Sequence, residues 1–128
     1  MHLKLLLMQI LLAIFLGGGL GSVSRYALSR SITSNFTNIN PVGTFVANLA
    51  STLILALILY ISATRGGMSN TYRALLVIGF CGGFSTFSTF SYETFELLRT
   101  GNFTFAAANI LVSLFLGVGV LFILAKNI

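Results

Sequence analysis

A run of aromatic and hydroxyl residues in the third apolar segment contains groups that could bind a small anion. It reads GFCGGFSTFSTFSYE at positions 79–93, and the triplet Phe-Ser-Thr repeats within it. On a helix of 3.6 residues per turn, this period places Phe87 and Phe90 on one face and Ser88 and Ser91 on another. The edge of a phenyl ring carries partial positive charge, so two rings presented edge-on can receive a small anion without a fixed cation. Such binding is weak enough to permit release, which conduction requires.

The glycines within this run predict an interrupted helix. Gly82 and Gly83 are followed at once by hydroxyl side chains in the middle of the segment. If the segment crosses a membrane, unwound backbone is tolerated only where it is buried in protein or lines a cavity. Freed carbonyls at such a break can hold a cation, while half-helix N-termini favour anions. A glycine packing kink with phenylalanine as filler is the alternative, and the residues alone leave both interpretations open.

Two other segments carry polar residues along one helical face. In the second segment these residues are Thr44, Asn48, Ser51 and Thr52. Asn48 follows Thr44 by four residues, and Ser51 and Thr52 follow Asn48 by three and four. In the fourth segment the same spacing relates Asn109, Ser113 and Gly117. Polar side chains at membrane depth face protein or water rather than lipid. These stripes are therefore either hydrogen bonds between helices or the lining of a hydrated path.

The distribution of charge predicts that membrane-spanning helices position these residues. The chain has 128 residues, is 56% hydrophobic and carries only 7% charged residues, whereas a soluble domain carries about 25%. The charges leave four uncharged intervals, each close to or above the roughly 20 apolar residues that cross a bilayer. We therefore predict one all-α integral membrane domain over residues 1–128, with four transmembrane helices over 3–32, 41–64, 70–99 and 103–126.

Turn residues separate the four segments. Residues 33–40 are rich in Asn, Ser and Thr and are typical of a loop, with Asn40 as a helix cap and Pro41 at the first helical position. Gly66-Gly67 and Gly101-Asn102 mark the other two turns.

The first segment has one alternative interpretation, a cleaved signal peptide, because Lys4 precedes an apolar run. The glycine-rich stretch at 17–21 continues directly into helix-compatible sequence, which favours a retained span. Gly17 and Gly21 are four residues apart, the spacing that lets helix backbones approach closely. We interpret both as packing residues.

Several function classes are excluded by what the sequence lacks. A single cysteine, Cys81, permits no internal disulfide and no cysteine-based metal cluster. A single histidine, His2, leaves no zinc site and no Ser-His-Asp triad. The seven Lys and Arg are scattered and form no basic patch for nucleic acid. Glu93 and Glu96 have no nucleophile or metal partner, so we predict that the protein is not an enzyme. We interpret Glu93 as a solvated carboxylate near a helix end.

The distribution of Lys and Arg barely favours one orientation in the membrane over the other. With four spans, the termini and the loop between spans two and three share one side, with Lys4, Arg65, Arg73 and Lys126. The other side holds Arg25, Arg30 and Arg99. Because an excess of Lys and Arg normally marks the cytoplasmic side, this near balance leaves two possibilities. Either insertion uses another cue, or the chain inserts both ways and opposed copies assemble.

Three motifs occur in order along the chain: GGGLGSVSRY at 17–26, NPVGTFVANLAS at 40–51 and GFCGGFSTFSTFSYE at 79–93. Together they resemble the Fluc fluoride channel family, also called CrcB, and the resemblance extends over the whole chain in length, span number and motif order. It implies an antiparallel, dual-topology homodimer in the cell (inner) membrane, with the third helix broken mid-span. It also implies two pores at the subunit interfaces that passively export fluoride, with no nucleic-acid or protein substrate.

The resemblance further implies roles for individual residues in the pore. Asn48 matches the family's pore-lining asparagine, and Phe87 and Phe90 match its paired pore phenylalanines. Ser88 and Thr89 match the hydroxyl track beside them. Helical spacing alone adds Thr44, Asn109 and Ser113.

A structural Na⁺ at the dimer centre is also implied, bound by backbone carbonyls at Gly82 and Ser85 of both subunits. The family often has threonine where this chain has Ser85, but a carbonyl ligand does not depend on its side chain. Arg25 matches an arginine near the pore vestibule.

Two other functions compete with this one. A small proton-coupled exporter of cationic drugs has similar size, four spans and dual topology, but it needs a membrane-embedded carboxylate. The only acids here, Glu93 and Glu96, are near the end of the third segment. An accessory subunit without transport explains the packing glycines but not the Phe-Ser-Thr triplets.

Overall fold

The computed structural model describes residues 1–33 and 41–126, and the regular structure in that part of the chain is helical. Its elements are α1 (His2–Thr33), α2 (Val42–Thr64), α3 (Asn70–Arg73), a π-helical segment (Ala74–Cys81), α4 (Gly82–Phe84), α5 (Phe87–Arg99) and α6 (Phe103–Ala125). The loop predicted for 33–40, with its Asn40 cap, lies outside the described residues except for Thr33, where α1 ends.

Four stretches of the described chain are long and apolar enough to span a bilayer. They comprise 31, 23, 30 and 23 residues, over His2–Ile32, Val42–Thr64, Asn70–Arg99 and Phe103–Ala125. At a rise of 1.5 Å per residue, even the shorter spans reach about 35 Å, which exceeds the roughly 30 Å of hydrocarbon. The predicted four-span, all-α architecture is therefore confirmed, and the protein is a multi-pass membrane protein.

Glycines in the left-handed region end two of the helices, as the sequence predicts. Gly66 and Gly67 follow α2 with φ of 81° and 110°, and Gly101 follows α5 with φ of 80°. At the second of these turns the Gly101 N–H donates to the Leu98 carbonyl and the Asn102 N–H donates to the Leu97 carbonyl. This pair of bonds satisfies carbonyls that the end of the helix would otherwise leave unpaired.

Two glycines of α1 let it pack directly on the backbone of the third span. The main neighbour of α1 is the π-helical segment. A Cβ atom at Gly17 would overlap the Leu75 carbonyl oxygen, and one at Gly21 would overlap the Phe80 carbonyl oxygen. The predicted packing role of both glycines is confirmed, and the first span is an integral part of the helix bundle.

We expect Gly21→Ala to destabilise the fold by about 2 kcal/mol, because the overlapping atoms belong to a helix backbone and cannot rotate away. Gly19→Ala is the matched control in the same helix, since a Cβ atom there meets nothing within 4 Å. Both substitutions gain the same intrinsic helix propensity. Thermal unfolding of the purified variants in detergent measures the difference. Equal melting temperatures for the two variants would contradict this packing interpretation.

The backbone of the third span becomes extended at two residues in its middle. Ser85 has φ −80° and ψ 157°, and Thr86 has φ −147° and ψ 119°. Helix α5 begins at the next residue, where the Thr86 side chain caps it by accepting a hydrogen bond from the Thr89 N–H. Gly82 and Gly83 precede this point and are themselves helical. Gly83 instead lets the third span approach the backbone of α1.

Candidate functional site

The Asn48 side chain binds both backbone groups of the extended residue Thr86. Its Nδ2 donates to the Thr86 carbonyl oxygen at 3.2 Å, and its Oδ1 accepts from the Thr86 N–H at 2.7 Å. The amide thus replaces the helical acceptor that the Thr86 N–H has lost, which lowers the cost of extended backbone at membrane depth. It also gives a second donor to the Thr86 carbonyl, which as the N-cap carbonyl already accepts the first hydrogen bond of α5. Only one of the two amide protons is used in this pair, so the other is available to a further acceptor.

A cavity of about 30 Å³ lies beside Asn48, between α2 and α6. It is lined by Phe45, Asn48, Leu49, Thr52, Ser113 and Gly117. The two polar stripes of the sequence therefore meet here, one from each helix. The Ser113 Oγ atom is buried and has no hydrogen-bond partner within the described part of the chain. A buried, unpaired hydroxyl is costly, and a cavity of this size holds about one water or a small ion.

Two other members of the α2 stripe donate hydrogen bonds to backbone carbonyls, one to the third span and one within α2 itself. Ser51 Oγ donates to the Cys81 carbonyl oxygen at 2.9 Å and is buried. Thr52 Oγ1 donates within its own helix to the Asn48 carbonyl oxygen. The interpretation as hydrogen bonds between helices is therefore confirmed for Ser51, while the lining of a hydrated path stays a prediction for Asn48.

Phe87 and Phe90 lie side by side at the start of α5. Their ring centroids are 6.0 Å apart and their planes are tilted by 34°, a distance typical of paired aromatic rings. Phe90 is partly buried, whereas Phe87 is 81% exposed. Whatever covers Phe87 in the membrane therefore lies outside this single chain.

Hydroxyl groups cluster beside the two rings. Thr86 Oγ1 lies 3.3 Å from Ser88 Oγ and donates to Thr89 Oγ1 at 3.2 Å. The structure thus brings the predicted Ser88 and Thr89 together. Thr86, which joins them and caps α5, was not predicted, because a capping role depends on the extended backbone that the sequence pattern does not locate.

Glu93 is not the solvated carboxylate that the sequence analysis predicted. Its Oε1 accepts a hydrogen bond from Thr44 Oγ1 at 2.8 Å, and its Oε2 is buried without a partner among the described residues. Thr44 is itself buried. The interpretation was wrong because Glu93 lies within α5 and faces α2, on the helix turn that follows Phe90. Thr44 therefore lies against a carboxylate rather than in the cavity near Asn48.

Asn109 lies outside this cavity and joins two helices. Its Nδ2 donates to Thr94 Oγ1 at 3.0 Å, and Thr94 Oγ1 donates to the Phe90 carbonyl oxygen at 2.8 Å. Asn109 is therefore a link from α6 to α5. Glu96, by contrast, pairs with Arg99 of the same helix at 2.7 Å.

The carbonyls of Gly82 and Ser85 have lost the amides that would bind them in a continuous helix. In such a helix the Gly82 carbonyl would accept from the Thr86 N–H, and the Ser85 carbonyl from the Thr89 N–H. The first N–H instead binds Asn48 Oδ1, and the second binds Thr86 Oγ1 at 3.3 Å. Both Gly82 and Ser85 are exposed on this chain.

Arg25 is held against the third span one residue after Gly82. Its Nε donates to the Gly83 carbonyl oxygen at 3.4 Å, and Ser22 Oγ lies at the same distance from that oxygen. Arg25 is therefore close to the extended segment rather than free in solution. Among residues 1–33 and 41–126, no group of three His, Cys, Asp or Glu side chains forms a metal site.

These features define a multi-pass helical membrane protein with a polar site at an interrupted span. Comparison with known proteins gives its family. The family model described as CrcB-like protein, Camphor Resistance (CrcB), matches residues 12–125, and the chain belongs to this family. The resemblance inferred from the three motifs is thereby confirmed.

Several relatives carry the name fluoride-specific ion channel FluC. The protein from Phocaeicola vulgatus is 43% identical over 111 residues, covering 87% of this chain and 91% of the relative. The protein from Serratia proteamaculans is 43% identical over 104 residues, or 81% of each chain. The protein from Methanosarcina acetivorans, named FluC 1, is 41% identical over 106 residues, covering 83% of this chain and 80% of the relative. Because the relatives are named as ion channels, the prediction that this protein is not an enzyme is confirmed.

Proposed function

We propose that the protein is a fluoride-selective channel that lets cytoplasmic fluoride leave the cell passively, down its electrochemical gradient. The observation that carries the proposal is the cavity between α2 and α6, where the unpaired Ser113 hydroxyl and the Asn48 amide line the same space. Its size suits a small ion, and the names of the relatives supply the identity of that ion.

The chemistry of this path suits a small anion. An anion leaves water only if other donors replace its hydration shell. Ser113 and Asn48 offer O–H and N–H donors, and the hydroxyls of Ser88 and Thr89 lie close to the phenyl rings. Phe87 and Phe90 supply ring edges of partial positive charge. Lys, Arg and His are absent from the middle of every span in the sequence and from the lining of the cavity, so the cavity itself holds no fixed cation that would trap fluoride.

Exposed polar backbone supports an assembly of two copies. Gly82, Ser85 and Ser88 are exposed on the single chain at the middle of the third span. Irregular backbone with unpaired carbonyls does not face lipid within the hydrocarbon region, so it is buried against another protein surface or lines a cavity that such a surface encloses. A second copy is the simplest cover, and the balanced cations of the sequence allow an antiparallel arrangement in the inner membrane. Two-fold symmetry would then give two pores, one for each cavity.

The freed carbonyls fit the Na⁺ that the family resemblance implies. Hard cations prefer oxygen ligands, and Gly82 and Ser85 each present a carbonyl without its helical amide. Two oxygens from each of two copies would surround one ion at the dimer centre. When bound, the ion supplies positive charge that joins the two interrupted spans.

The experiment that tests the function is fluoride efflux from vesicles that contain the purified protein. We expect fluoride to leave rapidly down its gradient when a potassium ionophore balances charge, while chloride is retained. Equal efflux of the two halides would contradict the selectivity. Efflux by the purified protein alone would also exclude the accessory subunit, which has no transport of its own.

The same vesicles distinguish the channel from a proton-coupled exporter of cationic drugs. Glu93 is a partly buried carboxylate, and such an exporter needs a carboxylate of this kind. The relatives of this protein, however, are named as ion channels. An imposed pH gradient that drove uptake of a cationic dye, with no fluoride efflux, would favour the exporter.

A further inference from the structure

Two side chains bind the amides that a continuous helix would direct at the carbonyls of the break. Any carbonyl in a continuous helix is occupied by the amide four residues later. The carbonyls of Gly82 and Ser85 are available because Ser85 and Thr86 are extended, and this conformation is stabilised when the amides of Thr86 and Thr89 find other acceptors. In this structure both amides are bound by side chains, one by Asn48 and one by Thr86.

We propose that Asn48 and Thr86 are positioning residues of the central cation site, because they hold the two amides that would otherwise occupy its carbonyl ligands. The inference rests on the proposed function, which supplies the Na⁺. It goes beyond that function in two ways. Asn48 gains a second role in addition to lining the fluoride path, and Thr86, which otherwise only caps α5, gains a role in cation binding.

The geometry of the Asn48 contact supports this role. Oδ1 takes the Thr86 N–H at 2.7 Å while Nδ2 holds the Thr86 carbonyl at 3.2 Å. This bidentate contact keeps Thr86 extended. The N–H of an extended Thr86 cannot donate to the Gly82 carbonyl oxygen. Asn48 belongs to α2, so the second span sets the conformation of the third.

The geometry of the Thr86 contact supports the same role for the next carbonyl. Thr86 Oγ1 accepts from the Thr89 N–H at 3.3 Å, as an N-cap residue does. No hydrogen bond to the Ser85 carbonyl is formed within the described residues. The same hydroxyl donates to Thr89 Oγ1, so the orientation of Thr86 is fixed from two directions.

The test measures Na⁺ binding rather than fluoride transport. Purified protein in detergent is titrated with NaCl at constant ionic strength, with N-methyl-D-glucamine as the replacement cation. Thermal unfolding reports Na⁺ binding, because a ligand of the folded state raises the stability of that state. We expect Thr86→Val to raise the half-saturating Na⁺ concentration about five- to tenfold, the size of one lost hydrogen bond. Thr86→Ser keeps the hydroxyl and is expected to restore the wild-type value.

Thr64→Val is the matched control. It also removes a threonine hydroxyl, but that hydroxyl binds only carbonyls of its own helix at the end of α2. We expect its Na⁺ titration to match that of wild type. If Thr86→Val also matched wild type, the inference would be overturned while the cation site stood. If wild type itself showed no response to Na⁺, the cation site of the proposed function would be absent and the inference would fail with it.

A second measurement covers the case in which Thr86→Val does not fold. Wild-type protein carrying ¹³C-labelled serine carbonyls is studied by solid-state NMR with and without Na⁺. We expect the Ser85 carbonyl resonance to shift with Na⁺. An unchanged Ser85 resonance in a sample whose melting temperature responds to Na⁺ would overturn the assignment of that carbonyl as freed for the cation.

Discussion

Asn48→Leu is expected to lower fluoride efflux at least about 100-fold. Leucine has a similar volume but no polar atoms, so the Thr86 N–H loses its partner and the Thr86 carbonyl loses one of its two donors. Each unpaired buried group costs about 1–3 kcal/mol, and about 1.4 kcal/mol corresponds to a tenfold change in rate. The substitution also removes the amide from the cavity that it shares with Ser113. The measurement is the initial rate of fluoride efflux from vesicles of known protein content.

Asn109→Leu is the matched control for this substitution. It makes the same change of side chain, also in the second turn of a 23-residue helix, but its amide binds Thr94 and does not line the cavity. We expect its effect on efflux to be less than about tenfold, which corresponds to one lost neutral hydrogen bond. Size-exclusion chromatography must show that both variants remain folded. A larger loss for Asn109→Leu than for Asn48→Leu would contradict the distinction between them.

The spans could be predicted because they depend on composition. A bilayer sets the length of an apolar helix, so the gaps between charges located all four spans. The turns at Gly66-Gly67 and Gly101 were equally predictable, since a positive φ requires glycine almost irrespective of what surrounds it. The close packing of Gly17 and Gly21 followed from their spacing, although only the structure identifies the third span as the partner.

The sequence predicted which polar residues share a helical face, but it did not predict which residues they contact. Helical periodicity correctly placed Asn48 and Ser113 on faces that meet at one cavity. The same periodicity gave no partner for Thr44, which binds Glu93, or for Asn109, which binds Thr94. These partners lie on α5, whose rotation about its axis is set by the extended residues before it.

The rotation of α5 about its axis explains why the prediction of a solvated Glu93 was wrong. Counting along an uninterrupted helix places this residue near the end of the third span, where a charged side chain reaches water. The two extended residues begin a new helix, and its first turns carry Phe87, Phe90 and Glu93 at intervals of three. The carboxylate therefore follows the rings on neighbouring turns and contacts Thr44 of α2.

Replacing Phe87 or Phe90, the two phenylalanines proposed to line the fluoride path, by isoleucine is expected to reduce fluoride efflux by about tenfold or more. Isoleucine retains apolar bulk, so the cost to packing is small, but it has no ring edge of partial positive charge. The effect should be present in both Phe87→Ile and Phe90→Ile, because their centroids are only 6.0 Å apart. The measurement is fluoride efflux from vesicles, with chemical crosslinking of the same sample to report the proposed dimer.

Phe95→Ile is the matched control on the same helix, since Phe95 is also exposed on the single chain but follows the ring pair by more than one turn. Its efflux is expected to match that of wild type. The two roles of the rings predict different results for Phe87→Ile. An anion-contacting ring gives a dimer of normal yield with slow efflux, because only the ring edge has been lost. A ring that serves packing alone gives a lower yield of folded dimer, while the dimer that remains conducts at the wild-type rate.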